Sequence, residues 1–182
     1  LNYQRLREVF YPDQGYDRME QELAELSGSP CIASLGSLVA SEPAPLTQGG
    51  FLFDAPVSHE LSKAHFVQSV LWDIACSIKE NVDVLCEMEP YKNNFVWGCG
   101  GGFQSQLLTQ YLANLTGKRI LIQDHFQHAS VAGGALVCSG ALGQTGAGSS
   151  EPKEVIPNKD QDHDRRYEAW KKFRAGLRRM DV

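Results

Sequence analysis

Apolar and polar positions recur along this chain with two different periods, and the places where the period changes mark its elements. Residues 1–10, LNYQRLREVF, read as the inside of an amphipathic helix with no capping residue before it, so the chain is expected to be a piece of a longer protein. In YDRMEQELAEL, residues 16–26, Met19, Leu23 and Leu26 are spaced by four and three, which predicts a surface helix ended by SGSP. Between Pro30 and Pro56 the short apolar runs CIASLG and GGFLFD are bounded by glycine and proline and predict two strands joined by VASEPAPLTQ. Ser58 then caps the strongest helix of the chain, carried by Val67, Val70, Leu71, Ile74, Ile78, Val82 and Leu85.

The second half repeats a simpler rhythm. A strand from Phe95 to Trp97 runs into a glycine cluster and then a helix with Leu107, Leu108, Tyr111, Leu112 and Leu115 on one side and Gly117 just past its end. RILIQ predicts the next strand and ASVAGGALVCSGALG the next helix. QTGAGSSEPK reads as a flexible link to a last helix, Asp162 to Arg179, whose Tyr167, Trp170, Phe173 and Leu177 share a face. Strand, helix, strand, helix at this spacing predicts parallel strands with crossover helices, an α/β domain.

Composition narrows the functions open to such a domain. At 182 residues the chain can bury one core without staples. Its 17 basic against 22 acidic side chains and pI near 5.5 argue against a nucleic-acid surface. Five cysteines, odd in number and without a C-x-x-C pair, fit neither a disulfide framework nor a zinc site, which points to the cytoplasm. The longest weakly polar run, VAGGALVCSGALG, is shorter than the roughly 20 residues a membrane span requires. Small molecules or other proteins are the expected partners.

The chemistry-bearing candidate is FVWGCGGG, Phe95–Gly102, followed by FQSQLL. Glycines at the turn from a strand to a helix can take positive φ and bare the peptide plane to a base or phosphate, and Ser105 offers a hydroxyl in the first turn. The plain alternative is a tight turn that packs helix on strand, and the match to G-x-G-x-x-G is poor. Four other features have ordinary readings. His125 and His128 lack a third metal ligand nearby; Cys99, a conceivable nucleophile, has no identifiable base and reads as a small filler. The last helix holds seven of the 17 basic residues, interleaved with Asp162, Asp164 and Glu168, and reads as a solvated face opposite the aromatic seam; Asn114-Leu115-Thr116 is a formal glycosylation sequon inside a helix.

The order of segments GGFLFDAPVSHELSKAHFVQSVLWDIACSIKENVDVL, GCGGGFQSQLLTQYLANLTGKRIL, HASVAGGALVCSGALG and RRYEAWKKFRAGLR resembles the C-terminal domain of the FGGY family of carbohydrate kinases over nearly the whole chain. The resemblance implies an actin-like, ribonuclease-H-like α/β fold, the C-terminal half of a two-domain sugar kinase. Its domain would take in residues 1–143, with a link at 144–161 and an amphipathic helix over 162–182 packed on the same domain. The family's adenosine-binding turn falls on Gly100, Gly101, Gly102 and Ser105, with Phe103 and Gln104 beside the base. The family's small-residue helix falls on 129–141, where Gly133 and Gly134 would pack under the nucleotide, and SEPAP echoes a family loop at Glu42 and Pro45. The resemblance also implies ATP with Mg²⁺ as cofactors, ATP and ADP as ligands, and a sugar or polyol held mainly by a preceding domain, with the catalytic base and metal ligands outside this chain. An uncovered sheet edge would then favour a homodimer. Phe53, where the family has a glycine, and Trp72 and Asp73, where it has Glu-Gly, depart from its pattern. The other function open to this sequence is a non-catalytic actin-like nucleotide-binding or interaction module.

Overall fold

In a computed structural model the residues described are 2–26, 28, 30–88, 92–123, 129–142, 151–158 and 162–180. Helices α1 (Asn2–Phe10) and α2 (Tyr16–Ala24) precede a hairpin of β1 (Cys31–Ser34) and β2 (Gly50–Phe53), antiparallel with Cys31 opposite Phe53. The long helix α3 (Lys63–Met88) follows, then β3 (Phe95–Gly98), a 3₁₀ turn over Gly101–Gln104, α4 (Gln106–Thr116) and β4 (Arg119–Ile122). After α5 (Ala129–Ala141) come β5 (Lys153–Val155) and α6 (Asp162–Met180).

The expected parallel crossover is present in β3–α4–β4, with Phe95 beside Arg119. Gly117 closes α4 at φ +64, a left-handed conformation that suits glycine. Packing on α3 holds the whole together: Val67, Val70, Leu71, Trp72, Ala75 and Cys76 are all at most 1% exposed. Met19 and Leu23 from α2, Leu108 and Leu112 from α4, and Trp170 from α6 close on this row.

Several expectations are corrected. Helix α3 does not start from a Ser58 cap. Ser58 Oγ instead accepts the Glu60 N–H at 3.2 Å in a local turn, and the helix starts after Ser62, whose backbone N–H donates to His65 Nδ1 at 3.1 Å. Part of the expected link, residues 153–155, forms β5, antiparallel to β4, so the second sheet is mixed. Gly133 and Gly134 face open space, where an added Cβ would meet no atom within 4 Å, and Val131, Leu136 and Val137 nearby on the helix are exposed. Helix α5 is apolar all round, so its sequence selects no face for packing. His125 and His128 lie outside the described residues.

The basic face of α6 is not simply solvated. Arg174 is 3% exposed and donates from Nε to Glu42 Oε1 at 2.6 Å, from Nη2 to Glu42 Oε2 at 2.6 Å and to the Ser37 carbonyl at 2.7 Å, and from Nη1 to Ser34 Oγ at 3.1 Å. Arg178 also donates to Glu42 Oε2. Asp73, fully buried, accepts from Trp170 Nε1 at 2.8 Å, the Leu35 backbone N–H at 3.1 Å and Ser37 Oγ at 3.1 Å. Burial pulls the two carboxyls the same way, but their partners decide the outcome. Asp73 ends above its ordinary range because burial outweighs its hydrogen bonds. For Glu42, the bonds from Arg174 and Arg178 overcome burial and bring it down to about 2. Asp73 thus has a structural task, and Glu42 anchors the loop that the sequence likens to a family element.

Candidate functional site

The glycine cluster is built from residues that need to be bare for three different reasons. At Gly98 a Cβ would lie 2.5 Å from Phe103 Cε1, so this glycine makes room for a ring of its own chain. Gly100 has φ +98, which side chains rarely adopt. Gly101 and Gly102 have neither constraint: a Cβ at Gly101 would meet nothing within 4 Å, and one at Gly102 would come only to 3.5 Å from Leu108 Cδ2. Their bareness leaves open space.

That space is a cavity of about 590 Å³ between the turn, α1, α2, α3 and α4. Gly101, Gly102, Gln104 and Ser105 contribute one wall. Leu71, Ile74 and Leu108 form an apolar part, and Tyr3, Gln4, Tyr16, Asp17 and Glu20 form the opposite wall. The Tyr3 and Tyr16 rings lie 5.6 Å apart, tilted by 33°. Of the six residues picked from the sequence, four therefore meet in one cavity. Gly100 shapes the turn behind them, and Phe103 faces away, its ring on Gly98 and its side chain lining a separate hollow with Lys153 and Val155.

Ser105 lies in the cavity wall at one remove. It is 2% exposed, and its Oγ caps α4 by accepting the Leu108 N–H at 3.3 Å. Tyr3 donates to Glu20 Oε1. Burial, followed by the Glu20 bond, raises the Tyr3 hydroxyl above its ordinary range and keeps it protonated as that donor. Tyr3, Tyr16, Asp17 and Glu20 went unrecognised in the sequence because polar and aromatic residues on an amphipathic surface helix look like its solvated face.

The two carboxylates are the only charged side chains of the described residues that line the cavity. Such a space, apolar on one side, aromatic and acidic on another, suits a planar group with N–H donors and gives a phosphate no cation. Among the described residues no three His, Cys, Asp or Glu side chains come together to hold a metal ion, and no helix is long and apolar enough to cross a membrane. Cys99 is exposed beside the turn.

Residues 38–142 match the FGGY family of carbohydrate kinases, C-terminal domain. YoaC of Bacillus subtilis (strain 168), provisionally named a sugar kinase, is 44% identical over 173 residues, covering 94% of this chain and 36% of that protein. Glycerol kinase 2 of Saccharolobus solfataricus is 27% identical over 121 residues, covering 63% of this chain and 24% of its own. The crystal structure of xylulose kinase from Rhodospirillum rubrum superposes with a TM-score of 0.75 at 17% identity, over 98% of this chain and 38% of that one. The chain thus spans 24% to 38% of the length of these relatives, and its fold is that of the actin-like sugar kinases.

Proposed function

The chain belongs to the FGGY family of carbohydrate kinases, through the family's C-terminal domain, and from that premise we propose that it is the nucleotide-binding part of an ATP-dependent kinase acting on a hydroxyl of a sugar or polyol. The observation that carries this reading is the cavity that joins the bare turn at Gly101 and Gly102 to the aromatic wall of α1 and α2. Gly100 to Ser105 would form the nucleotide turn: Gly101 and Gly102 let a flat base approach the backbone, Gly100 sets the bend, and Phe103 wedges the turn against β3. The cavity offers the nucleoside end a place and the phosphates no charged partner, so phosphate gripping, sugar binding and the proton-accepting carboxylate would fall to other parts of a whole kinase. Among the described residues no cluster of carboxylates would hold Mg²⁺ by itself; the ion would come with the phosphates of ATP. The cysteine pattern supports a cytoplasmic protein.

The test is Gly102→Val. Its φ is not positive and its Cβ direction is clear apart from ordinary contact with Leu108, so the variant should keep its fold while a branched side chain fills the cavity. Calorimetric titration should show ATP and adenosine binding the wild-type chain with similar affinity and neither binding Gly102→Val. Undiminished binding to a folded Gly102→Val chain would refute this placement of the nucleotide.

A further inference from the structure

The polar lining of the cavity is unequal in what it can recognise. Gln4 and Gln104 are amides, which can turn either a carbonyl or an NH₂ toward a ligand and so select for neither. Ser105 is 2% exposed and turns its hydroxyl oxygen to the Leu108 N–H. Tyr3 has used its proton on Glu20 Oε1. The Tyr3 hydroxyl thus ends on a carboxylate, which can only accept. The Tyr3–Glu20 bond joins α1 to α2 and fixes that carboxylate beside the ring pair Tyr3–Tyr16.

We infer that Glu20 determines which base the site takes: its Oε2, beside the oxygen that Tyr3 occupies, accepts from the exocyclic amine of an aminopurine lying against Tyr3 and Tyr16. This rests on the nucleotide reading above and adds a selectivity to it. A base with a carbonyl at that edge would set acceptor against acceptor. Guanine offers two parallel N–H groups, which need both carboxylate oxygens side by side, and Tyr3 already holds one. Adenine, with a single amine at that edge, fits what remains. The apolar side, Leu71 at 1% and Leu108 at 5% exposure, is dry enough for one charge-assisted hydrogen bond to discriminate strongly.

Adenosine and inosine differ at the position in question, amine against carbonyl, and are the probes. Calorimetric titration of the whole chain should give adenosine an advantage of about tenfold or more, the effect of one hydrogen bond to a charged group. In Glu20→Gln the amide carbonyl can still accept from Tyr3 while its NH₂ turns to the base, so the advantage should fall to about one or pass to inosine. Should that variant not fold, Tyr3→Phe keeps the ring, releases Glu20 and should also narrow the ratio. Equal binding of the two nucleosides by the wild type, or an unchanged ratio in a folded variant, would overturn the role of Glu20 and leave the nucleotide reading in place. Failure of adenosine, inosine and ATP alike to bind the wild type would overturn both.

Discussion

Arg174→Met removes a guanidinium that is 3% exposed and makes four hydrogen bonds to Glu42, Ser34 and the Ser37 carbonyl, and it replaces a long stem with one of similar bulk. The cost follows from what stays behind. Glu42, with a side chain 15% exposed, keeps Arg178 but loses its two-toothed partner, and the buried carboxylate of Asp73 loses a guanidinium 3.9 Å away. Breaking a buried pair by deleting one member costs about 3–5 kcal/mol. The two arginines together hold Glu42 at about 2 instead of 4.5, worth on the order of 3 kcal/mol at about 1.4 kcal/mol per pH unit, and Arg174→Met removes only its own part of that. Because the folded value is the lower one, this stability is present above pH 4.5 and lost as pH falls from there toward 2. Asp73, whose folded value is raised above 3.8, works in the opposite direction, and its cost grows as pH rises through that range. Urea unfolding followed by tryptophan fluorescence, with Trp72 and Trp170 both buried, should lose about 3–5 kcal/mol in Arg174→Met and a smaller amount in Arg174→Lys, which keeps charge but not the planar fork. A loss below about 1 kcal/mol in Arg174→Met, the range of an exposed pair, would refute the claim that this cluster is a buried anchor.

Gly98→Ala should destabilise by about 1–3 kcal/mol as its Cβ meets the Phe103 ring, and Phe103→Leu in the same chain should recover most of that; independent, additive effects in the double variant would exclude the contact. His65 is 6% exposed, and burial lowers it from its ordinary 6.5 while Glu60 acts the other way. The unfolded chain therefore binds the proton first, and stability should decline as pH drops below 6.5. Thermal melts of His65→Gln should lack that part of the slope, and an identical pH profile would exclude it.

Long periodic segments were legible from sequence because a helix that buries one stripe must repeat every three or four residues. Helices α1, α2, α4 and α6 and the β3–α4–β4 crossover all carried that mark. Strand β5 did not: three residues, Lys-Glu-Val, are too few to show alternation and are recruited by the edge of β4. The start of α3 was hidden by two serines four residues apart, of which the one three residues before His65 begins the helix. Arg174 looked like its neighbours on α6 because its burial depends on Glu42, 132 residues away. Four of the six candidate site residues reach the cavity, since a strand-to-helix turn is a local feature. The facing wall belongs to α1 and α2, and nothing local in NYQRLREVF or YDRMEQELA discloses what they will face.

The cavity wall that Tyr3 and Ser105 share also carries a schedule. Tyr3 and Ser105 are about 100 residues apart, so at roughly 5–20 residues per second a ribosome makes the tyrosine some 5–20 s before the serine. Until α4 emerges, Met19 and Leu23 of α2, buried in the finished chain, have only part of their cover, from α3. The cavity therefore cannot close before Leu108 is made, and its first wall must wait for the second to arrive.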